Sequence, residues 1–242
     1  MAQTRICFLT SSPSIPGTDS LNPANGFVEE LRQALPESAA ALFVCSDPEG
    51  HAHTDFFAAA VRESFEEAGF SFRDYRVLDS RNEDRAAQLV GEADFLILAG
   101  GHVPTQNRFF ARIGLRRLLR DYQGVLLGIS AGTMNSADLV YVHPELEGEA
   151  INPDFPRFLP GLGLTGTMVL PHFQYIRHET LDGLRVVEDI ALPDSLGRCI
   201  YALEDGSYLL LRSGREELRG RAWRICDGEL SLCCEDGERL LL

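Results

Sequence analysis

Ser130 stands in Gly128-Ile129-Ser130-Ala131-Gly132, a G-x-S-x-G string that closes an apolar run at 125–127. It is followed by Thr133-Met134-Asn135-Ser136-Ala137, which reads as the first turns of a helix. A serine hydroxyl is a poor nucleophile near neutral pH. It needs a base within hydrogen-bond reach, and the base needs a carboxylate that fixes its tautomer. A tight strand-to-helix bend would lift the hydroxyl above a sheet, and the flanking glycines would allow the bend and a close approach of other groups. The helix start behind it would offer free N–H groups and a positive dipole end to developing negative charge. Such five-residue strings also arise by chance, so the rest of the chain must supply the partners.

The candidate bases are six histidines. His51 and His53 precede an amphipathic stretch and His178 sits at a helix start, so these read as surface or capping residues. His143 follows a short apolar run and fits either role. His102 follows Gly100-Gly101. His172 ends a strand-like run, with Pro171 restricting its backbone and Phe173 beside it; it reads as the base, or as a core or turn histidine. For the acid, Glu204 and Asp205 close another strand-like run. Successive strand residues point to opposite faces, so only one of the pair can aim at an imidazole. Asp205-Gly206 could equally make a turn and leave Glu204 solvated, with Asp138, Glu145, Glu147 and Asp154 as rivals. The order Ser130, His172, then Asp205 or Glu204 differs from the nucleophile–acid–histidine order of α/β-hydrolase esterases. Asp138 or Asp154 paired with His172 would restore that order.

These residues need a scaffold. Apolar runs at 5–10, 40–45, 75–78, 94–99 and 125–127 read as short buried strands. Helical spacing over 27–35, from an N-cap at Thr54 or Asp55 to Gly69, over 83–90 and over 109–120 reads as helices between them. This alternation predicts a parallel sheet covered on both faces, with ligands at the carboxyl ends of its strands. If the strands before Gly100 and Ser130 are neighbours, the Gly100-Gly101 backbone lies beside the serine. Arg108, Arg112, Arg116, Arg117 and Arg120 read as a solvated helix face or an anion site. Beyond Ser130, residues 144–160 form a polar loop with four prolines, read as a flap near the site. A strand at 163–170 delivers His172, and a helix is expected at 179–187. The β-like runs at 199–203, 208–212, 221–226 and 230–234 are punctuated by Asp205-Gly206 and Asp227-Gly228 and followed by Asp236-Gly237, each a hairpin signal.

With 242 residues, 45% hydrophobic and 24% charged, the chain can bury a sizeable core as one large domain, or one with a small appendage. A net charge of −14 argues against nucleic acid or an anionic membrane as partner. No stretch reaches the roughly 18 apolar residues of a bilayer span, and the N-terminus reads as a strand, not a signal peptide. The six cysteines show neither zinc nor disulfide-framework spacing and read as reduced, buried thiols in a cytoplasmic protein. No metal or organic cofactor is expected, because no histidine–carboxylate–cysteine cluster has ligand spacing.

Taken together, Gly100-Gly101-His102, the serine string, Leu170-Pro171-His172-Phe173 and Leu203-Glu204-Asp205-Gly206-Ser207 resemble the serine peptidases that include aspartyl dipeptidase (peptidase E) and cyanophycinase. The resemblance runs from the first strand to about Arg212. It implies a single domain over 1–242, with a family core at about 1–212 and a β-rich C-terminal extension at 213–242. The fold implied is an α/β three-layer sandwich with a mostly parallel central sheet, like that of the class I glutamine amidotransferases and flavodoxin, plus a C-terminal β-hairpin element. The roles implied are Ser130 as nucleophile, His172 as base and Gly101 and Ala131 as amide donors to the oxyanion, with Gly100 and His102 beside the substrate. Aligned on Gly206-Ser207 the acid is Asp205; aligned on residue type it is Glu204. The activity implied is hydrolysis of a small peptide substrate through an acyl-enzyme, at aspartyl bonds if a cation such as Arg108, Arg112 or Arg177 holds the substrate carboxylate. His102, where several relatives carry Asn, points to a different specificity. A glutamine amidotransferase would carry cysteine at position 130, which leaves a non-catalytic binding or regulatory domain as the other alternative.

Overall fold

The computed structural model describes residues 5–242. Five parallel strands form the centre of the molecule: β1 (Ile6–Thr10), β2 (Ala39–Val44), β3 (Phe72–Leu78), β4 (Phe95–Leu98) and β5 (Val125–Ile129). Their order in space is β3-β2-β4-β5-β1, so β4 and β5 are neighbours, in register from Phe95 against Val125 to Leu98 against Gly128. Helices α1 (Phe27–Ala34) and α2 (His51–Glu67) cover one face, while α3 (Ala86–Glu92), α4 (Val103–Arg112) and α5 (Leu115–Leu118) cover the other. The period of two decides which residue meets which layer. Along β5, Val125, Leu127 and Ile129 pack with Phe27 and Phe65, whereas Leu126 packs with Phe109 and Phe110. Both faces are buried, which is why these strands are apolar throughout rather than alternating.

After β5 come α6 (Ala131–Met134), the short pair β6 (Leu139–Tyr141) and β7 (Phe158–Pro160), β8 (Met168–Leu170) and α7 (Phe173–Ile176). A two-strand ribbon follows, β9 (Thr180–Leu181) and β10 (Leu184–Arg185), then a helical segment over Val186–Ala191 continued by α8 (Leu192–Asp194). The last strands are β11 (Cys199–Leu203), β12 (Tyr208–Arg212), β13 (Arg215–Arg219), β14 (Ala222–Cys226), β15 (Glu229–Cys234) and β16 (Arg239–Leu241). Strands β12, β13 and β16 extend the main sheet antiparallel beyond β1 to eight strands. Strands β8, β11, β14 and β15 make a second sheet over its own core of Leu170, Phe173, Ile200, Ala202 and Ile225.

Several local expectations change. The helix expected from Thr54 or Asp55 starts earlier, at His51, so His51 and His53 lie in its first turn. The helix expected at 109–120 starts at Val103 and is broken at Gly114, whose φ of +66° ends α4 before α5 begins. The strand expected at 163–170 shrinks to Met168–Leu170. The helix expected at 179–187 is replaced by the β9–β10 ribbon and the segment behind it. Asp182 and Gly183 turn that ribbon with φ of +53° and +83°, the geometry a two-residue hairpin requires. Of the three Asp-Gly pairs, only Asp227-Gly228 closes a hairpin between neighbouring strands. Asp205-Gly206 and Asp236-Gly237 carry the chain from one sheet to the other. Cys199 and Cys226 sit directly opposite on β11 and β14 and are joined as a disulfide, while Cys7, Cys45, Cys233 and Cys234 are free. That corrects the expectation of reduced thiols throughout: strand register, not sequence spacing, brings the pair together. Among the described residues no helix is long and apolar enough to cross a membrane, and no group of three His, Cys, Asp or Glu is placed to hold a metal ion.

Candidate active site

Ser130 occupies the bend between β5 and α6 with φ 49° and ψ −107°, a conformation a side-chain-bearing residue adopts only when its surroundings enforce it. Its N–H donates to the carbonyls of Thr10 and Ser11, each at 3.1 Å, which ties the bend to the end of β1. Thr133 Oγ1 donates to the Thr10 carbonyl (2.8 Å), and Thr10 Oγ1 to that of Gly128 (2.8 Å). Both glycines of the string are fixed by packing. A Cβ on Gly132 would run into the Leu98 carbonyl, and one on Gly128 would press on Thr133. The sequence folds this way because the apolar strand is buried to its end and the chain can leave it only by turning sharply upward.

His172 and Asp205 arrive from the second sheet by a shared device. Strands β8 and β11 are parallel neighbours with Leu170 opposite Ala202, and each catalytic candidate lies two residues beyond its strand. His172 is left-handed at φ 56°, and its N–H donates to Ser11 Oγ at 2.7 Å. Its ring lies between Ser130 and Asp205, with Nε2 at 2.9 Å from Ser130 Oγ and Nδ1 at 2.7 Å from Asp205 Oδ1. Asp205 also accepts from Ser11 Oγ at 2.7 Å, while its N–H donates to Gln174 Oε1 at 3.1 Å. Burial alone would raise the Asp205 carboxyl. The hydrogen bond and charge of His172, helped by Ser11 and Gln174, outweigh it and hold the group below the usual carboxylate range. An ionised Asp205 can only accept, so Nδ1 carries the proton and Nε2 is left to accept from the serine hydroxyl.

Glu204 points elsewhere: its carboxylate accepts from Trp223 Nε1 at 3.2 Å and pairs with Arg221 at 3.5 Å. Gly101 stands on the loop after β4 with φ 145°, and a Cβ there would strike Ser46. Gly100 lies against Ile129 and Ser130. Ala131 opens α6, where its N–H has no carbonyl of its own helix to meet. His102 has both ring nitrogens engaged, with Nδ1 at 2.8 Å from Thr105 Oγ1 and Nε2 at 3.0 Å from Glu149 Oε1. Arg108 donates to Thr105, Arg112 pairs with Glu83 and Glu49, and Arg177 stacks on Trp223 with 4.7 Å to the ring centre. Arg116 pairs with Asp138.

An open cleft of about 570 Å³ runs past Ser130 and His172 and is lined also by His143, Glu145, Tyr175 and Glu179. Residues 144–160 do reach it, bringing Pro144 and Glu145 to the wall. Glu149 fastens that loop by accepting the N–H groups of Glu145 (2.9 Å) and Leu146 (3.0 Å), and Asp182 accepts those of Gly148 and Ala150. Burial, with His172 nearby, pushes His143 down to about 4, so it is neutral at pH 7. Burial and the neighbouring Glu149 push the Glu145 carboxyl up to about 7. Sequence reasoning passed over Ser11 and Gln174. The only signal for Ser11 was its place at the carboxyl end of the first strand, where such sheets present their chemistry.

The model of peptidase family S51 matches residues 7–218. Among solved structures, a peptidase from an acI-B1 Actinobacterium superposes with a TM-score of 0.66 at 16% identity, over 100% of this chain and 98% of that one. A protein assigned as peptidase E from Listeria monocytogenes EGD-e gives 0.60 at 15% identity, over 95% and 98%. At such identities these two likenesses speak for the fold alone. No curated protein matches the sequence. The family match spans most of the sequence, including the serine bend, the histidine and both acids, and on it the chain belongs to peptidase family S51 and is a serine-type peptidase.

Proposed function

We propose that the chain hydrolyses short peptides through a triad of Ser130, His172 and Asp205. The observation that carries this reading is the unbroken hydrogen-bonded line from Ser130 Oγ through the His172 ring to Asp205. His172 Nε2 takes the serine proton as Oγ attacks the peptide carbonyl, and Asp205 stabilises the imidazolium that forms. The oxyanion lies between the N–H groups of Gly101 and Ala131, each such donor lowering the barrier by about 3 kcal/mol. His172 then protonates the leaving amine, the acyl-enzyme forms, and water activated by the same histidine releases the acid product. A cleft of about 570 Å³ accommodates a few residues of substrate, not a folded chain.

Cleavage beside aspartate would call for a cation in this cleft. Arg108, Arg112 and Arg177 are engaged elsewhere, so the side-chain preference is better sought among the groups that line it. A fluorophosphonate probe tests the triad. Ser130 should label rapidly, labelling should vanish in Ser130→Ala and His172→Ala, and Ser130→Ala should lower kcat by about 10⁶ with an unchanged fold by circular dichroism. Undiminished hydrolysis by Ser130→Ala would overturn the reading.

A further inference from the structure

Around Ser130 the cleft has an uneven charge. Its lining includes Glu145 and Glu179, and among the described residues it includes no Arg or Lys. The same lining includes His143, 6% exposed, whose Nδ1 is buried without a hydrogen-bond partner. Its Nε2 stands 3.8 Å from Glu145 Oε1, too far for a hydrogen bond. Nδ1 is itself enclosed, so the ring lends the cleft a polar, uncharged wall and leaves the binding of an ammonium to the two carboxylates.

Resting on the reading of Ser130 as nucleophile, we propose that this cleft selects peptides by a positively charged amino group, received by Glu145 and Glu179 beside His143, and disfavours substrates that bring a carboxylate there. The electrostatics run the same way. Neutral His143 adds no positive charge to repel an ammonium. Burial first, and then the negative charge of Glu149 and Glu179 against the offsetting His172, raise the Glu145 carboxyl to about 7. An ammonium is the counter-ion that would let it ionise. A substrate aspartate would instead meet like charge. Two sources can bring the ammonium: a lysine-type side chain, or the free α-amino group of a short peptide.

The test is steady-state hydrolysis of Lys-Ala, norleucyl-Ala, Gln-Ala and Asp-Ala, and of the N-acetylated forms of the first two. In the wild type, Lys-Ala should exceed norleucyl-Ala in kcat/KM by about tenfold if the side chain supplies the charge. If the α-amine supplies it, acetylation of norleucyl-Ala should lower kcat/KM by about the same factor. Either ratio should collapse toward one in Glu145→Gln and shrink in Glu179→Gln, both checked for an unchanged melting temperature. The Lys-Ala to norleucyl-Ala ratio should also grow as the pH rises through about 7, where Glu145 ionises while the lysine side chain stays charged. Fastest cleavage of Asp-Ala, or ratios near one in the wild type with Ser130 still labelling, would overturn the inference and leave the triad standing. A failure of Ser130 to label, with none of the peptides cleaved, would remove both.

Discussion

At the scale of single residues, the triad depends on two neighbours that no motif announces. Ser11 Oγ accepts from the His172 N–H and donates to Asp205, both at 2.7 Å, so one hydroxyl sets the position of the base and of the acid. Ser11→Ala removes both bonds inside a buried site. It should lower kcat by about tenfold to a hundredfold with little change in KM, each lost hydrogen bond being worth about 1 kcal/mol. A KM increase instead would place Ser11 in substrate binding. The adjacent acids separate cleanly: Asp205→Asn should reduce kcat by about 10⁴ through the wrong imidazole tautomer, while Glu204→Gln should retain most activity because Glu204 faces Trp223 and Arg221. Asp205 also bears on stability. Its folded carboxyl titrates below the unfolded value, so its contribution is present above that value and is lost as the pH falls through the folded one. The gap in urea midpoint between wild type and Asp205→Asn should therefore be larger at pH 7 than near pH 3. The alternation of strand residues already said that only one acid could aim at His172. Which one depends on how the chain crosses between sheets after β11, and two adjacent letters do not encode that.

At the scale of elements, the serine bend is specified by the contact of α6 with the main sheet. Gly132 lies so close to the carbonyl of Leu98 on β4 that a methyl group has no room, and the obstructing atom is backbone. Gly132→Ala should destabilise the fold by about 1–3 kcal/mol, as overpacking does. It should also slow labelling of Ser130, since relief requires α6 to lift and the Ala131 N–H to move with it. Equal urea midpoints and labelling rates would show that the helix yields freely. The strands of the main sheet were legible because burial on both faces leaves uninterrupted apolar runs. The β9–β10 ribbon was not. Its Leu181, Leu184 and Val187 also fit a helical spacing, and the left-handed turn at Asp182-Gly183 outweighs it. The 103–112 helix was partly hidden because it begins directly after the glycine loop, with Pro104 in its first turn, a position proline favours as readily as a loop.

At the scale of the whole molecule, the site exists only where two sheets meet: the serine and Gly101 come from the main sheet, the histidine and acid from the second. Residues 213–242 contribute to both, with β13 and β16 on the main sheet and β14 and β15 on the second. The strand character of β14 and β15 was readable, that of the charged β13 and the short β16 was not, and sheet membership was hidden because Asp205-Gly206 and Asp236-Gly237 look like hairpin turns and act as crossings. The segment is not peripheral to the chemistry. Strand β14 pairs along β11 up to Leu203, two residues before Asp205, and Trp223 packs on Phe173, the residue after His172, at 5.9 Å between ring centres. Leu218, Ala222 and Ile225 are fully buried, and the guanidinium of Arg219 is enclosed by Glu30, Glu217 and Tyr208. A chain ending at Arg212 would expose the open edges of β11 and β12 and uncover the apolar side chains beneath them, a surface prone to strand pairing between molecules. It should be recovered as aggregate, or as a species without a cooperative urea transition and without Ser130 labelling. If the same truncation stayed monomeric, unfolded cooperatively and labelled at the wild-type rate, residues 213–242 would be an appendage, and the second sheet would hold His172 and Asp205 without β14.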